Sequence, residues 1–344
     1  MSVVVHDPYG VTGDAALPRS ALALDPRHAE RELGRLERFR ESTVVLRAIH
    51  VTRYKPGKRC VVEYDIEVAT RDGARERVTL VGKMRAARYG NAGHRLLASF
   101  WDAGFDAASA DGISVPEPIG TVGAFTMWLQ RKVAGVAATD VIASAGGAAL
   151  ATRIAEAAHK IHRASVPATA RHTMADELRI LRECFARVSR DRPSLAPRLA
   201  GVLDACERLA ASTPRCAPAG IHRDFYGDQV IVDGARLHIV DFDLYCEGEP
   251  ALDVGNFIGH VTEQSLRTVG HPDALADREA ALEERFLALA GPSARPAVRA
   301  YAMLTVARHV YLSTTFPERR PFTEALLELC EERLGVGRAL AGIR

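Results

Sequence analysis

Three residues with oxygen-bearing side chains lie close together in the stretch 220–253, which reads GIHRDFYGDQVIVDGARLHIVDFDLYCEGEPALD. Asp224 and Gln229 precede the apolar run VIV, and Asp241 follows the apolar run LHIV. The Asp-Gly pair between the two runs is typical of a β-hairpin turn, and a hairpin brings its first and last residues together. Two carboxylates and an amide oxygen would then converge at the open end of the hairpin, which is a ligand set that suits Mg²⁺.

The other acids of this stretch have more than one interpretation. An unpaired carboxylate beside buried strands is costly, so each acid is either a turn or cap residue or part of a site for a positive charge. Asp233 is assigned to the turn. Asp243 and Glu247 are either surface loop acids or contacts to a cationic acceptor. For Asp224, Gln229 and Asp241, the coincidence of residue type, spacing and hairpin favours a functional site.

The elements that must position these residues differ along the chain. Residues 46–85 predict three strands rich in β-branched residues, separated by turns at KPGK and RDG. A short helix from about Asn91 to Gly104 and one or two further strands follow. From about residue 137, apolar residues recur at three- and four-residue spacing, which predicts helices. We therefore predict an α+β protein, with a small antiparallel-sheet lobe over 1–133 and a large, mostly helical lobe over 134–344.

Composition narrows the classes of function. The 344 residues are 47% hydrophobic with a formal net charge of +2, and basic residues alternate with acids, so nothing supports nucleic-acid or membrane binding. No apolar run reaches the roughly 18 residues of a membrane helix. The six cysteines have no metal-site spacing. These features predict a soluble, cytoplasmic protein with reduced thiols, and they leave its oligomeric state open.

The motif His222-Arg223-Asp224, followed by Gln229 and then by the hairpin ending in VDFD, resembles the catalytic core of the aminoglycoside phosphotransferase and choline kinase family. The resemblance covers about residues 45–260 and implies a two-lobed, protein-kinase-like fold. It also implies an ATP-dependent O-phosphotransferase (a kinase) that uses ATP (or GTP) and Mg²⁺.

The resemblance implies a role for each matching residue. Asp224 is the catalytic aspartate, which orients the acceptor hydroxyl and takes its proton. Asp241 and Gln229 hold the metal ion, where Gln229 replaces the family's usual Asn. His222 and Asp253 support the site, and Asp253 braces the catalytic loop through backbone hydrogen bonds.

Residues of the first lobe are implicated in the same way. Lys83, in LVGK, matches the third-strand lysine that contacts the nucleotide phosphates. Met127 and Trp128 line the place where adenine stacks, or else they are ordinary core residues. His162, in AHKIHRA, is interpreted as a core or surface imidazole without a role in the site.

The acceptor class follows from what is missing after Asp241. A peptide platform needs a long activation segment, but Pro250 and the helical pattern ALDVGNFIGHV come almost at once, so the acceptor is predicted to be a small-molecule hydroxyl. An aminoglycoside, an amino alcohol, a sugar or a nucleoside all fit. Gln229, and the lack of any acid in MRAARYGNAGHRLLASF, keep a second reading open: a weak or inactive kinase-like protein that binds a nucleotide or metabolite.

Overall fold

The computed structural model describes residues 3–86 and 91–336, and the chain divides into two compact units. The N-terminal unit extends to Gly135 and also contains Gly234–Val240, whereas the C-terminal unit contains Val136–Asp233 and the residues from Asp241 onward. The predicted domains, 1–133 and 134–344, differ from these units at 134–135 and in the segment 234–240. The predicted α+β class is confirmed, with the sheet in the first unit and most helices in the second.

A six-stranded sheet in the order β1-β2-β3-β4-β7-β6 forms the N-terminal unit's framework. Its strands β2 to β4 match the three predicted from the sequence, and their inward-facing side chains alternate with exposed ones. Gly57 and Gly73 make the two turns at φ 68° and 86°, a conformation that costs glycine little. The strands of this unit up to residue 131 are β1 Val4–His6, β2 Ser42–Lys55, β3 Arg59–Thr70, β4 Arg75–Arg85, β5 Ile113–Ser114, β6 Pro118–Val122 and β7 Met127–Arg131.

Three helices accompany this sheet: α1 Ser20–Leu24, α2 Pro26–Gly34 and α3 Ala92–Phe100. The sequence predicted one helix for this lobe, which is α3, whereas α1 and α2 precede the region in which strands were predicted. The third begins one residue after the expected Asn91 and continues as a π-helical turn over Trp101–Phe105, in which Gly104 leaves helical geometry with φ 88°. Apolar side chains from α1, α2 and the inner face of the sheet form one buried core.

Helices dominate the C-terminal unit, so the helices predicted from about residue 137 onward are confirmed, as is the helical pattern after Pro250. The unit also holds short strands that pair antiparallel, β8 (Val136–Ala137) with β10 (Val230–Asp233) and β9 (Ala219–Ile221) with β12 (Cys246–Gly248). Among the described residues no helix is long and apolar enough to cross a membrane. The helices are α4 Ala138–Val141, α5 Gly147–Arg163, α6 Met174–Asp191, α7 Ala196–Ser212, α8 Ala251–Val269, α9 Ala276–Ala290, α10 Arg295–Thr315 and α11 Thr323–Leu334.

The predicted hairpin strands are present in the stretch that first drew attention. The strands after residue 135 are β8 Val136–Ala137, β9 Ala219–Ile221, β10 Val230–Asp233, β11 Arg236–Ile239 and β12 Cys246–Gly248. β11 belongs to the N-terminal unit, where it pairs in parallel with β5. Gly234 makes the turn before β11 with φ 57°, as the Asp-Gly pair indicated.

Helices α8 and α10 approach each other unusually closely because glycines face the contact. A Cβ atom on Gly255 would lie 2.6 Å from the Cβ of Tyr301, and one on Gly259 would lie 2.6 Å from the Cβ of Thr305. Real Cβ atoms do not come so close, so both positions require glycine. Polar residues of α8 are buried as well, Asp253 among them.

Candidate active site

The loop that carries Asp224 leaves β9 in a strained conformation. Arg223 has φ 70°, in the left-handed region, which costs a residue with a side chain about 1–2 kcal/mol. Such strain persists only where surrounding contacts enforce it. The enforcing contact here is Asp253 of α8, whose Oδ1 accepts a hydrogen bond of 2.7 Å from the Arg223 amide.

Asp253 is 0% exposed and accepts three hydrogen bonds. Besides the Arg223 amide, its Oδ2 accepts from the His222 amide at 2.9 Å and lies 2.9 Å from Nε2 of His162. A buried carboxylate is tolerated when donors surround it in this way. Asp253 therefore holds the backbone amides of the two residues immediately before Asp224, which is the contact that the predicted bracing role requires.

Asp224 has an environment suited to proton transfer. Burial raises the pKa of its carboxyl, and the neighbouring carboxylate of Asp241 raises it further, against the opposing charges of His222, Arg308 and Arg223. Asp241 itself is left-handed, with φ 62°, and begins the single helical turn Phe242–Leu244. The two acids that the sequence singled out therefore lie within electrostatic reach of each other.

Gln229 and His222 both belong to the C-terminal unit. Gln229 ends a short helical turn that begins at Gly227, and its backbone amide donates to the carbonyl oxygen of Tyr226 at 2.9 Å. The ring of His222 is buried between aromatic side chains, with its centroid 5.7 Å from that of Phe225 and 4.8 Å from that of Phe242. Such packing fits the predicted supporting role of His222.

Whether a divalent cation fits this site depends on its donor side chains. No group of three or more His, Cys, Asp and Glu side chains suited to a metal is present among the residues that the structure describes. Mg²⁺ does not need one, since it is usually held by one or two carboxylates and takes its other ligands from water and phosphate. Asp241 supplies one such carboxylate, and its charge raises the pKa of Asp224, so a cation beside Asp241 would relieve the repulsion between the two acids.

In the N-terminal unit, Lys83 and Trp128 form a pair across β4 and β7. They are opposite each other in the strand register, and Nζ of Lys83 lies 5.2 Å from the centroid of the indole ring, which is a cation–π contact. Met127 is 0% exposed and belongs to the buried core, with its sulfur 3.7 Å from the hydroxyl of Tyr64. This burial favours core packing, one of the two interpretations of Met127.

The acidic loop after Asp241 is partly engaged within the protein. Glu247 is exposed, and its carboxylate lies 3.5 Å from Nε of Arg171. Glu249 is buried, accepts from the amide of Cys216 and pairs with Arg215. Asp243 lies half-buried in the helical turn after Asp241, so it is the acid of this loop nearest in sequence to the site.

This chain matches the model of one known protein family. The family model described as the phosphotransferase enzyme family, APH, matches residues 77–301. The chain belongs to this family. A search of curated proteins finds no match.

Solved structures give the same fold at low sequence identity. A choline/ethanolamine kinase family protein from Mesorhizobium loti is 14% identical, with 91% of this chain and 95% of that one covered and a TM-score of 0.55. A thermostable mutant of aminoglycoside phosphotransferase APH(4)-Ia, in a ternary complex with ADP and hygromycin B, is 16% identical, with 91% of this chain and 99% of that one covered and a TM-score of 0.56. A glucosamine kinase is 16% identical, with 90% of this chain and 80% of that one covered and a TM-score of 0.54. The predicted resemblance is thereby confirmed.

In this phosphotransferase the sequence interpretation missed His162. The residue lies 91 positions before Asp253 in the chain, yet its ring is buried against that carboxylate. A signal was available: His162 falls on the same helical face as the buried Ala155 and Ala158, at spacings of seven and four residues. That face marks the ring as buried, and a buried imidazole needs a partner.

Proposed function

We propose that this protein is an ATP-dependent kinase that transfers a phosphoryl group to a hydroxyl of a small molecule. The observation that carries the proposal is Asp224, a carboxyl whose pKa is raised by burial and by Asp241, on a loop whose amides Asp253 holds. A general base works best when its pKa lies near the operating pH, and the raised pKa of Asp224 moves it in that direction.

In the proposed reaction, Asp224 accepts the proton of the acceptor hydroxyl as that oxygen forms a bond to the γ-phosphorus of ATP. The bond from the γ-phosphorus to the β–γ bridging oxygen breaks, and ADP leaves. Asp241 and Gln229 would hold Mg²⁺, which neutralises charge on the phosphates. Lys83 would contact the phosphates as well. Since phosphoryl transfer depends mainly on positioning and charge, the bracing of the loop by Asp253 contributes directly.

The acceptor is proposed to be a small polar molecule that carries an amine. Hygromycin B occupies one structural relative, and others are named as choline/ethanolamine and glucosamine kinases. The family match and the short connection from Asp241 to α8 support a small molecule over a peptide. Asp243, the half-buried acid of the following loop, is the proposed contact for the amine, while Glu247 is an outer candidate that already faces Arg171.

Thermal unfolding with and without Mg-ATP tests nucleotide binding. Mg-ATP at about 100 times its Kd stabilises a protein by about 2.7 kcal/mol, which raises Tm by at least a few degrees. We expect this rise for the wild type and for Asp224→Asn, and a much smaller one for Asp241→Ala. If the wild type shows no rise, the kinase proposal is wrong.

Transfer is tested with a panel of choline, ethanolamine, glucosamine and hygromycin B, with ADP release and the mass of the product as the readouts. We expect one class to gain 80 Da per molecule and Asp224→Asn to lose most of the turnover. Full turnover in that variant would remove Asp224 from catalysis. Tight binding of Mg-ATP with no transfer and no ADP release would favour the second reading, a nucleotide-binding protein without kinase activity.

A further inference from the structure

A second polar residue of α8 contacts the catalytic loop on the other side of Asp224. Asn256 is 2% exposed, and its Nδ2 donates a hydrogen bond of 3.0 Å to the carbonyl oxygen of Phe225, the residue after Asp224. Asp253 and Asn256 are three positions apart, so they share one face of the helix. The loop is therefore held at the two amides before Asp224 and at the carbonyl after it.

The orientation of the Asn256 amide is fixed by α10. Its Oδ1 accepts from Nη2 of Arg308 at 2.7 Å and from Oγ1 of Thr305 at 3.3 Å. Arg308 has donors alone, so the atom facing it must be the amide oxygen. The NH₂ group then has to face the carbonyl of Phe225.

Arg308 is anchored in turn by α6. Its Nη1 donates to Oε2 of Glu177 at 3.3 Å, and Oε1 of the same carboxylate lies 2.6 Å from Nε2 of His172. Burial raises the pKa of Glu177, but the hydrogen bond from His172 and the charge of Arg308 outweigh it, so the pKa lies below its ordinary value. Glu177, 8% exposed, is thus a charged anchor for Arg308.

These contacts form an unbroken series of side-chain hydrogen bonds from His172 through Glu177, Arg308 and Asn256 to the loop carbonyl. Each bond lies inside the C-terminal unit. We propose that Asn256, held in one orientation by Arg308, is a positioning residue that fixes the direction in which Asp224 points. This inference rests on the proposed kinase function, but it concerns residues outside the nucleotide, metal and acceptor sites.

The test compares substitutions at the two central residues. Asn256→Ala removes the bond to the loop carbonyl, and Arg308→Met removes the group that orients Asn256. Misplacement of a catalytic group by about 1 Å can cost up to about a hundredfold in rate, so we expect kcat for ATP turnover to fall tenfold to a hundredfold. KM for ATP should stay within about twofold, because neither residue is proposed to contact the nucleotide.

Two further variants separate positioning from general damage. Arg308→Lys keeps the charge that pairs with Glu177 and can still donate to Asn256, so it should recover at least part of the lost kcat. Arg299→Met is the matched control, since it removes another ion-paired arginine from the same helix, one that pairs with Glu283. It should leave kcat unchanged.

Hydrogen exchange of the peptide 219–229 gives a readout that needs no acceptor. We expect faster exchange in Asn256→Ala than in the wild type or Arg299→Met, and near-normal exchange in Arg308→Lys. ATP turnover is measured with the acceptor found in the panel. If the panel contains no acceptor, ADP release by hydrolysis of ATP is measured instead. Wild-type kcat in Asn256→Ala, or unchanged exchange of its loop, would overturn the inference.

The same experiment distinguishes the two proposals. If the wild type does not release ADP, or if Asp224→Asn keeps the full rate, the kinase proposal fails, and only the exchange data then decide whether Asn256 fixes the loop. If the wild type turns over, Asp224→Asn does not, and Asn256→Ala matches the wild type, the inference about Asn256 fails alone.

Discussion

Replacing Asp253 with Asn removes a negative charge that three N–H groups share, with little change in volume. Asn has one side-chain oxygen, which can replace Oδ2 and keep the bonds from the His222 amide and His162. Its NH₂ group then faces the Arg223 amide, and because both groups are donors, that amide loses its acceptor. The lost bond to a charged acceptor costs about 1.5–3 kcal/mol, and the amide left unpaired costs about 1–3 kcal/mol. We expect Asp253→Asn to lower the free energy of unfolding by about 4 kcal/mol.

Urea denaturation followed by circular dichroism measures this loss directly, and Tm should fall by about 10 °C. Turnover should fall as well, because Arg223 is then free to leave its left-handed conformation and to shift Asp224.

A double-mutant cycle with His162→Ala tests the assignment of the partners. The two residues share a hydrogen bond, so their costs should not add, and we expect a coupling of about 1–2 kcal/mol. His159→Ala, on the same helix, is the control and should add to Asp253→Asn within about 0.5 kcal/mol. A loss below about 1 kcal/mol in Asp253→Asn, or full additivity with His162→Ala, would refute the bracing role.

Three further predictions concern other parts of the molecule. Gln229→Asn shortens the reach of the amide oxygen, so the Mg²⁺ concentration for half-maximal turnover should change by about tenfold; an unchanged requirement removes Gln229 from the metal site. Burial raises the pKa of Glu279 to about 7, against a bond from Thr262, so the protein loses stability as pH rises from about 4.5 to 7. Glu279→Gln should raise the free energy of unfolding by at most about 3 kcal/mol at pH 8 and leave it unchanged at pH 4. Denaturation curves that show the same change in the free energy of unfolding at both pH values would contradict this. Gly82→Ala would place a Cβ atom 2.2 Å from Sδ of buried Met127 and should cost about 1–3 kcal/mol; a wild-type Tm would show that Met127 moves freely.

Local pattern was enough to predict much of the fold. β3 and β4 lie within a residue of their predicted limits because alternation of apolar residues and punctuating glycines are local properties of the chain. The presence of α9 and α10 was also predicted, because apolar spacing is read within a few turns, although both helices begin two or three residues before the predicted patterns. Residue type and spacing pointed to Asp224 and Asp241 as candidates, and the family resemblance added Asp253.

Long-range contacts left no comparable signal. His162 meets Asp253 only after α5 packs near the start of α8, and Arg308 reaches Asn256 only because α10 lies against the same helix. Nothing in the short stretches around His162 or Arg308 specifies a partner that far away in the sequence. The left-handed conformation of Arg223 was equally hidden, since glycine or asparagine would be expected there and the strain is imposed by a distant carboxylate.

The close packing of α8 on α10 also limits how this gene can change length. An α-helix turns by about 100° per residue, so one codon gained or lost between Asp253 and Gly259 would turn the residues on its two sides out of register, and the helix could not contact both the loop and α10 as it does now. It would also push side chains into the space that Gly255 and Gly259 leave open. The exposed turn at 233–235 carries no such constraint. Among related chains we therefore expect insertions and deletions in this turn and not within α8.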